Sequence, residues 1–487
     1  MKSLSRLIFK TFESDINFKF LANKVNNKWN WVDRKELYYN IADCRNILKD
    51  HNVKKGDRVA YKADNSLEWI SWNIASNSLG AIWVPMYGNQ NEDYCKFIVN
   101  DCKPKILITN DMNLDVESII LDNRIGGIKT DEEIDFTDND ICTLIYTSGT
   151  TGNPKGVMLS NNNIISNINA IRNRFGNIGP TTSLNILPWA HIYSQTCELY
   201  YNLLFDNKMA LASSKENFIK ECGEIKPHTL YLVPRVLELV RSKLQFFDKP
   251  LIKLLLPMLI NRLFGGNLIN IFTGGAKLDM NTRNFFLENG VNVCEGYGCS
   301  ETSPMVSVNH LSEPRDVTSI GKLLDDIIVE IIDGEIQVSG PNIMLGYWNN
   351  KEATNKALIN RNGKTWYKTG DSGSLRDGFL FYEGRISENY KLSNGKFVDV
   401  PDIESKIKPY INGSFIIFGD GQNYNSLICE DDIDDKKLKK INSEIDSHMR
   451  IKDIHKISTE EFGEFLTPKM SIKRKLLVNY VKKLIKL

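Results

Sequence analysis

Residues 141–159 read ICTLIYTSGTTGNPKGVML. The flanks, Ile141–Ile145 and Val157–Leu159, are short apolar runs of strand character. Between them, from Tyr146 to Gly156, stand four aliphatic hydroxyls (Thr147, Ser148, Thr150, Thr151), three glycines (Gly149, Gly152, Gly156) and one lysine, Lys155. Glycines let a backbone turn its N–H groups toward an anion, while hydroxyls and a compact ammonium add donors to phosphate oxygens. The same residue types make ordinary surface turns. A loop aimed by a buried strand, however, suits a polyphosphate, and its spacing of Gly149, Gly152 and Lys155 differs from the Walker pattern of Gly, four residues, then Gly-Lys-Ser/Thr.

Working outward, a chain of 487 residues exceeds one hydrophobic core and implies at least two domains. Its 61 basic and 60 acidic residues nearly cancel, which argues against a nucleic-acid partner recruited by overall charge. Nine cysteines without a CxxC pair and six histidines without HExxH give no zinc or redox motif, and imply reduced, mostly buried thiols in a cytoplasmic protein. The opening MKSLSRLIFKTFESD lacks the apolar core of a signal peptide, and no run has the length of a transmembrane helix. Leu251–Leu263, LIKLLLPMLINRL, is broken by Lys253 and Pro257 and reads as packed helix or interfacial patch. From Pro468 to Leu487 seven Lys or Arg residues stand without an acidic one, interleaved with apolar residues at near-helical spacing. A solvated basic helix face is the preferred reading, with peripheral contact to an anionic membrane the alternative.

The expected fold class is α/β. Between Leu37 and Leu107 helical runs alternate with short apolar ones, and the alternation resumes after the phosphate loop, where Ser160 caps a helix over Asn161–Arg174 and Leu184–Leu187 reads as a strand. From Gly334 to Tyr382 short strands with Gly punctuation predict a β-rich subdomain. Beyond Arg385 comes a small α+β unit, with strands at Phe415–Phe418 and Ser426–Cys429 and a helix over Asp435–Met449. The expected domains are therefore 1–387, with parallel α/β sheets and the β-rich part, and 388–487.

Further constellations carry chemistry. Gly296–Pro304 reads GYGCSETSP: Gly296 and Gly298 admit a planar ligand near Tyr297, whose ring suits a purine. Glu301 offers a hard oxygen for Mg²⁺ and Thr302 a hydroxyl for phosphate. Gly274-Gly275-Ala276 ends a strand-like run, and Tyr367–Asp371 reads YKTGD, followed fourteen residues after Asp371 by Arg385. A carboxylate can accept both ribose hydroxyls while a guanidinium adds donors.

Together these motifs resemble the adenylate-forming superfamily of acyl-CoA synthetases, luciferases and peptide-synthetase adenylation domains, in order from about Val84 to Lys473. The resemblance implies that Gly274–Ala276 lies along adenine and the acyl-adenylate, that Tyr382 joins Asp371 and Arg385 in holding the nucleoside, and that the small C-terminal domain is mobile about Glu388. It assigns GEIQVSGPNIMLGYW, Gly334–Trp348, a mainly structural role. The closing LTPKMSIKRKLL, Leu466–Leu477, lacks the common PKTxxGKxxR form and is similar to the TP…KxKR of long-chain fatty acyl-CoA synthetases, which aligns Lys473 with the catalytic lysine; Lys469 and Lys475 stay as alternatives.

Val233–Val236, Lys391–Val398 and that ending lean toward the fatty acyl branch. LPWAHIYSQ, Leu187–Gln195, resembles LPLAHxxE and makes His191 the acyl-site residue, with Ser194 where Glu is usual. Two further departures are a short segment between Val236 and Gly274, and Glu388 at a hinge commonly held by Asp or Lys. The implied activity is an AMP-forming fatty acyl-CoA synthetase using ATP, Mg²⁺ and CoA. An acyl-carrier protein ligase and a non-catalytic nucleotide-binding regulator are the alternatives.

Overall fold

A computed structural model describes residues 3–109, 118–120, 137, 139–147, 154–176, 180–244, 253–310, 312, 315–466 and 472–484. The chain packs into two compact units, one of residues 1–329 and 338–367, the other of residues 330–337 and 368–487. Packing thus groups the strands on both sides of Asp371 with the C-terminal residues, and the division does not coincide with 387/388.

The first unit contains a seven-stranded sheet in the order Gly346–Tyr347, Lys155–Ser160, Ile141–Thr147, Ile82–Met86, Arg58–Lys62, Ile106–Thr109, Ser118–Ile120. Its strands from Ile141–Thr147 onward are parallel, and Ile82–Met86 and Ile106–Thr109 are buried on both faces, as continuous apolar runs require. Helix Leu67–Ser78 starts where Ser66 accepts from the Trp69 N–H and is buried on every face from Trp69 to Ser78, small polar residues such as Ser71, Asn73 and Ser76 included. In its first turn Trp69 meets Tyr61, Trp83 and Trp189 at ring separations of 6.3, 5.2 and 5.5 Å. A second set of strands runs Lys322–Leu323, Met305–Val308, Asn292–Gly298, Asn270–Thr273, Thr229–Leu232, Thr182–Asn185, Lys208–Leu211, Lys19–Val25, Lys28–Asp33.

Helix Asn161–Phe175 positions the site. Ser160 caps it, Asn163 completes a capping box, and Gly176 ends it. Its asparagines then act as clamps: Asn163 Nδ2 donates to the carbonyls of Pro341 (2.7 Å) and Ile343 (2.8 Å), and Asn167 exchanges two bonds with the Met305 backbone. These amides satisfy buried backbone groups.

In the second unit Phe415–Phe418, Asn425–Cys429 and Ile451–Lys456 form a three-stranded sheet. Strand alternation divides its faces: Phe415 and Ile417 join one core with Val400, Ile403 and Ile441, while Ile416 and Phe418 join another with Phe462, Leu477 and Val481. The basic helix Arg474–Leu484 therefore spends its apolar stripe on this sheet. Asp435–Ser443 is helical but the chain does not continue so to Met449. Asn442 exchanges two 2.8 Å bonds with the Ile451 backbone, which turns the chain back into its strand. From Lys253 the described part of this segment forms a short turn, Lys253–Leu255, and a helix, Leu256–Leu263, that buries Leu256 and Ile260 and leaves Leu254, Leu255 and Met258 exposed. Among the described residues no helix is long and apolar enough to cross a membrane. All nine cysteines are free and all but Cys299 are buried.

Because Trp69 fills the junction of three other large aromatic rings, Trp69→Ala should destabilise the first unit by about 3–5 kcal/mol. Thermal unfolding followed by near-UV circular dichroism would register this as a lowered midpoint, with Trp69→Phe falling between variant and parent.

Candidate active site

Ile141–Thr147 and Lys155–Ser160 pair antiparallel with Thr147 opposite Lys155 and Tyr146 opposite Gly156. The phosphate loop is thus the connection of a hairpin whose second strand begins at its lysine. Ser148, Gly149, Thr150, Thr151 and Gly152 lie outside the described residues. Gly156 is tightly packed: a Cβ there would stand 3.0 Å from Leu144 and from the Tyr146 ring, so both would have to give way. Asp101 braces the hairpin's base, accepting from Tyr146 Oη at 2.6 Å and, through its carbonyl, from Asn349 Nδ2 at 2.8 Å.

Glu301 and Thr302 lie on the one-turn helix Ser300–Thr302 that follows strand Asn292–Gly298. The Thr302 hydroxyl is buried and spent on the turn itself, with the Cys299 N–H donating to it at 3.0 Å and the Pro304 carbonyl accepting from it at 2.5 Å. Gly298, at φ +155°, lies against that same carbonyl, so a Cβ would collide with it. A Cβ at Gly274 would stand 3.2 Å from the Gly296 carbonyl oxygen, a tighter approach than most, and Gly275 adopts φ +83°. The glycines near Tyr297 thus let two strand ends approach backbone to backbone.

The Glu301 carboxylate is not isolated. Tyr347 Oη donates to Glu301 Oε1 at 2.8 Å, and Lys155 Nζ sits 5.1 Å above the Tyr347 ring. One side chain from the GYW segment, which sequence reasoning treats as structural, links the phosphate-loop lysine to the metal-ligand candidate. No group of three or more His, Cys, Asp or Glu clusters among the described residues. A single carboxylate beside a polyphosphate loop fits Mg²⁺, which takes one or two protein carboxylates and completes its shell with phosphate oxygens and water.

On the acyl side, His191 Nδ1 accepts from the Tyr193 N–H at 3.2 Å. Ser194, where a glutamate is usual, touches one further along: Ser194 Oγ lies 3.0 Å from Glu198 Oε2, which also accepts from Asn185 Nδ2 at 2.7 Å. The segment Ser194–Tyr200 is a π-helix, buried along its whole length. Glu198 is fully buried, and burial pushes its carboxyl from the ordinary 4.5 up to about 8 against the pull of Asn185 and Ser194. The sequence clue is a Ser and a Glu four residues apart. Next to it opens a small cavity of about 30 Å³, lined by Phe175, Tyr193, Tyr201, Tyr231, Phe272 and Met305 among others.

In the second unit Asp371 and Arg385 stand opposite each other on paired strands, with Arg385 Nε 2.9 Å from Asp371 Oδ1. Arg385 Nη1 also donates to the Thr369 carbonyl at 3.0 Å. Tyr382 is on the same strand as Arg385, and its phenol is raised chiefly by burial and then by the Asp371 charge. Burial likewise raises the Glu388 carboxyl, with Arg474 opposing. Arg474 forks Glu404 at 2.9 and 2.7 Å and anchors the start of the last helix, while the preceding Lys473 and the following Lys475 are exposed. Lys469 lies outside the described residues.

The family described as AMP-binding enzyme matches residues 15–348. Among curated proteins, the long-chain-fatty-acid–CoA ligase FadD15 of Mycobacterium tuberculosis is 24% identical over 98% of this chain and 95% of its own. The long-chain-fatty-acid–CoA ligase ACSBG1 of Homo sapiens is 25% identical over 88% of this chain and 70% of its own. Among solved structures, ATP-bound MatB from Rhodopseudomonas palustris superposes with a TM-score of 0.82 at 20% identity, covering 99% of this chain and 100% of that one. MenE from Bacillus subtilis, in complex with ATP and magnesium ion, gives 0.79 at 21% identity over 96% of this chain and 98% of that one. Both likenesses are of fold.

Between pH 4.5 and about 8 the unfolded chain ionises Glu198 while the folded chain keeps its proton. The stability this group contributes is therefore complete below pH 4.5 and is lost as pH rises toward 8. Glu198→Gln, which cannot titrate, should gain on the parent by on the order of a few kcal/mol between pH 5 and pH 8. Denaturant midpoints measured across that range test this, and parallel curves for parent and variant would refute it.

Proposed function

The chain belongs to the AMP-binding enzyme family, and from that premise we propose that it is an AMP-forming fatty acyl-CoA synthetase, an acid–thiol ligase using ATP, Mg²⁺ and CoA. The observation that carries the nucleotide half is the meeting of Lys155 and Glu301 on Tyr347. The fatty acyl half is supported by the aromatic cavity beside the His191 segment and by the likeness to long-chain-fatty-acid–CoA ligases over nearly the whole chain.

In the first half-reaction a carboxylate oxygen attacks the α-phosphorus of ATP, the bond to the β-phosphate breaks, and pyrophosphate leaves. Lys155 and the hairpin hold the departing phosphates, with the Ser300–Thr302 turn presenting Glu301 beside them. Glu301 would hold Mg²⁺, which when bound would supply neutralisation of the phosphate charge. Gly274–Ala276 and Gly296–Gly298 offer bare backbone to the purine, and Asp371 with Arg385 takes the ribose. Two anions must meet, so Lys473 is assigned the bridge between acyl carboxylate and α-phosphate, where a fixed positive charge lowers the barrier. In the second half-reaction CoA thiolate attacks the acyl carbonyl and AMP departs. Rotation about Glu388 then withdraws Lys473 between steps.

With ATP, Mg²⁺ and a panel of fatty acids, pyrophosphate release is expected without CoA, and AMP with thioester once CoA is added. Pyrophosphate without CoA-dependent AMP would sink the CoA assignment, and neither product with any acid would favour a nucleotide-binding regulator. Lys473→Ala should slow adenylation by about 100-fold or more yet still form thioester from supplied acyl-adenylate. Unchanged adenylation would move the role to Lys469 or Lys475.

A further inference from the structure

We infer that Tyr347 is the positioning residue of the nucleotide site: its hydroxyl orients Glu301 for the metal and its ring face holds Lys155 for the phosphates. The inference rests on reading Glu301 as the metal ligand.

The backbone around Tyr347 is fixed from both sides. Gly346 and Tyr347 pair with Met158 and Val157, just beyond the phosphate loop, and Trp348 N–H donates to the Gly156 carbonyl at 2.7 Å. On the other flank Met344 N–H donates to the Glu301 carbonyl at 2.9 Å. The Tyr347 N–H itself donates to Thr354 Oγ1 at 2.8 Å. Gly346, at φ +139°, is pressed so close to the Thr354 side chain that a Cβ would meet it at 2.8 Å. A short strand from far along the chain is therefore bonded to the strand that leaves the phosphate loop and to the turn that carries Glu301.

From this fixed backbone the side chain makes two different contacts. The hydroxyl donates to one oxygen of the Glu301 carboxylate at 2.8 Å, which restricts the carboxylate's rotation and directs its other oxygen elsewhere. The ring face attracts the Lys155 ammonium, 5.1 Å away, through its quadrupole. An acid and a base on neighbouring motifs would otherwise tend to neutralise one another. With Tyr347 between them, each is held by a neutral partner and stays available, the carboxylate to a cation and the ammonium to phosphate oxygens. Outer partners of metal-ligating carboxylates commonly govern metal affinity in this way.

Equilibrium calorimetry of ATP binding, titrated against Mg²⁺ in the full-length protein without acid or CoA, separates the two contacts. Tyr347→Phe keeps the ring and loses the hydroxyl. It should raise the Mg²⁺ concentration for half-maximal ATP binding about tenfold, with ATP affinity in EDTA close to that of the parent, which also certifies an intact site. Tyr347→Leu should weaken ATP binding in EDTA as well, since the ring is gone. If Glu301→Gln shifts the Mg²⁺ dependence and Tyr347→Phe does not, Tyr347 has no positioning role and the inference falls alone. If Glu301→Gln leaves that dependence unchanged, the metal-ligand reading fails and the inference with it.

Discussion

The nucleotide half of this protein depends on a two-residue strand. Gly346–Tyr347 adds itself to Lys155–Ser160, and that pairing brings together segments that the chain otherwise keeps far apart. A hairpin alone cannot orient its own connection, because the flanking strands fix the two ends but not what faces them. Here the facing element arrives with a phenol that contacts an ammonium and a carboxylate at once. Asp101 adds a second brace, receiving Tyr146 from the hairpin and Asn349 from the incoming segment. The geometry of the grip is thus a property of tertiary hydrogen bonding rather than of the glycine-rich loop.

The same economy governs the polar interior. Asn163, Asn167 and Asn342 bond backbone groups of distant segments: Asn163 at Pro341 and Ile343, Asn167 at Met305, Asn342 at Thr302. An amide carries both donors and an acceptor, so one side chain satisfies groups on two segments. Leaving such groups unpaired would cost about 1–3 kcal/mol each. Helix Asn161–Phe175 is consequently less a packing element than a rack, and the turn bearing Glu301 and Thr302 hangs from it through Met305.

The α/β class was legible because parallel strands buried on both faces leave continuous apolar runs such as Ile106–Thr109, and Ser160 announced its helix by a local rule of capping. Gly275 and Gly298 sit at φ +83° and +155°, backbone positions that favour glycine. What escaped were features set by chain segments meeting from a distance. Nothing near Tyr347 in sequence says which strand it joins. Glu198 escaped because its i,i+4 spacing from Ser194 is that of any helical pair, and only the fold shows the two buried together with Asn185. The helix read through to Met449 stops at Ser443 because Asn442 finds Ile451, a partner no periodicity records.

Strand alternation separates what this fold holds constant from what it can vary. On Thr229–Leu232 and Asn270–Thr273, Leu230, Leu232 and Ile271 face the core shared with Phe218, Phe264 and Phe286, while Thr229, Tyr231 and Phe272 face the cavity. Because successive side chains point to opposite faces, the cavity lining can change size without disturbing the core behind it. Nor would it disturb the Gly274 carbonyl-level contact with Gly296, which is made by backbone. Tyr231 and Phe272 stack on the cavity side with centroids 5.4 Å apart, on strand faces opposite that core. The contacts that Gly346 and Tyr347 make with Met158, Val157 and Glu301 involve none of these side chains.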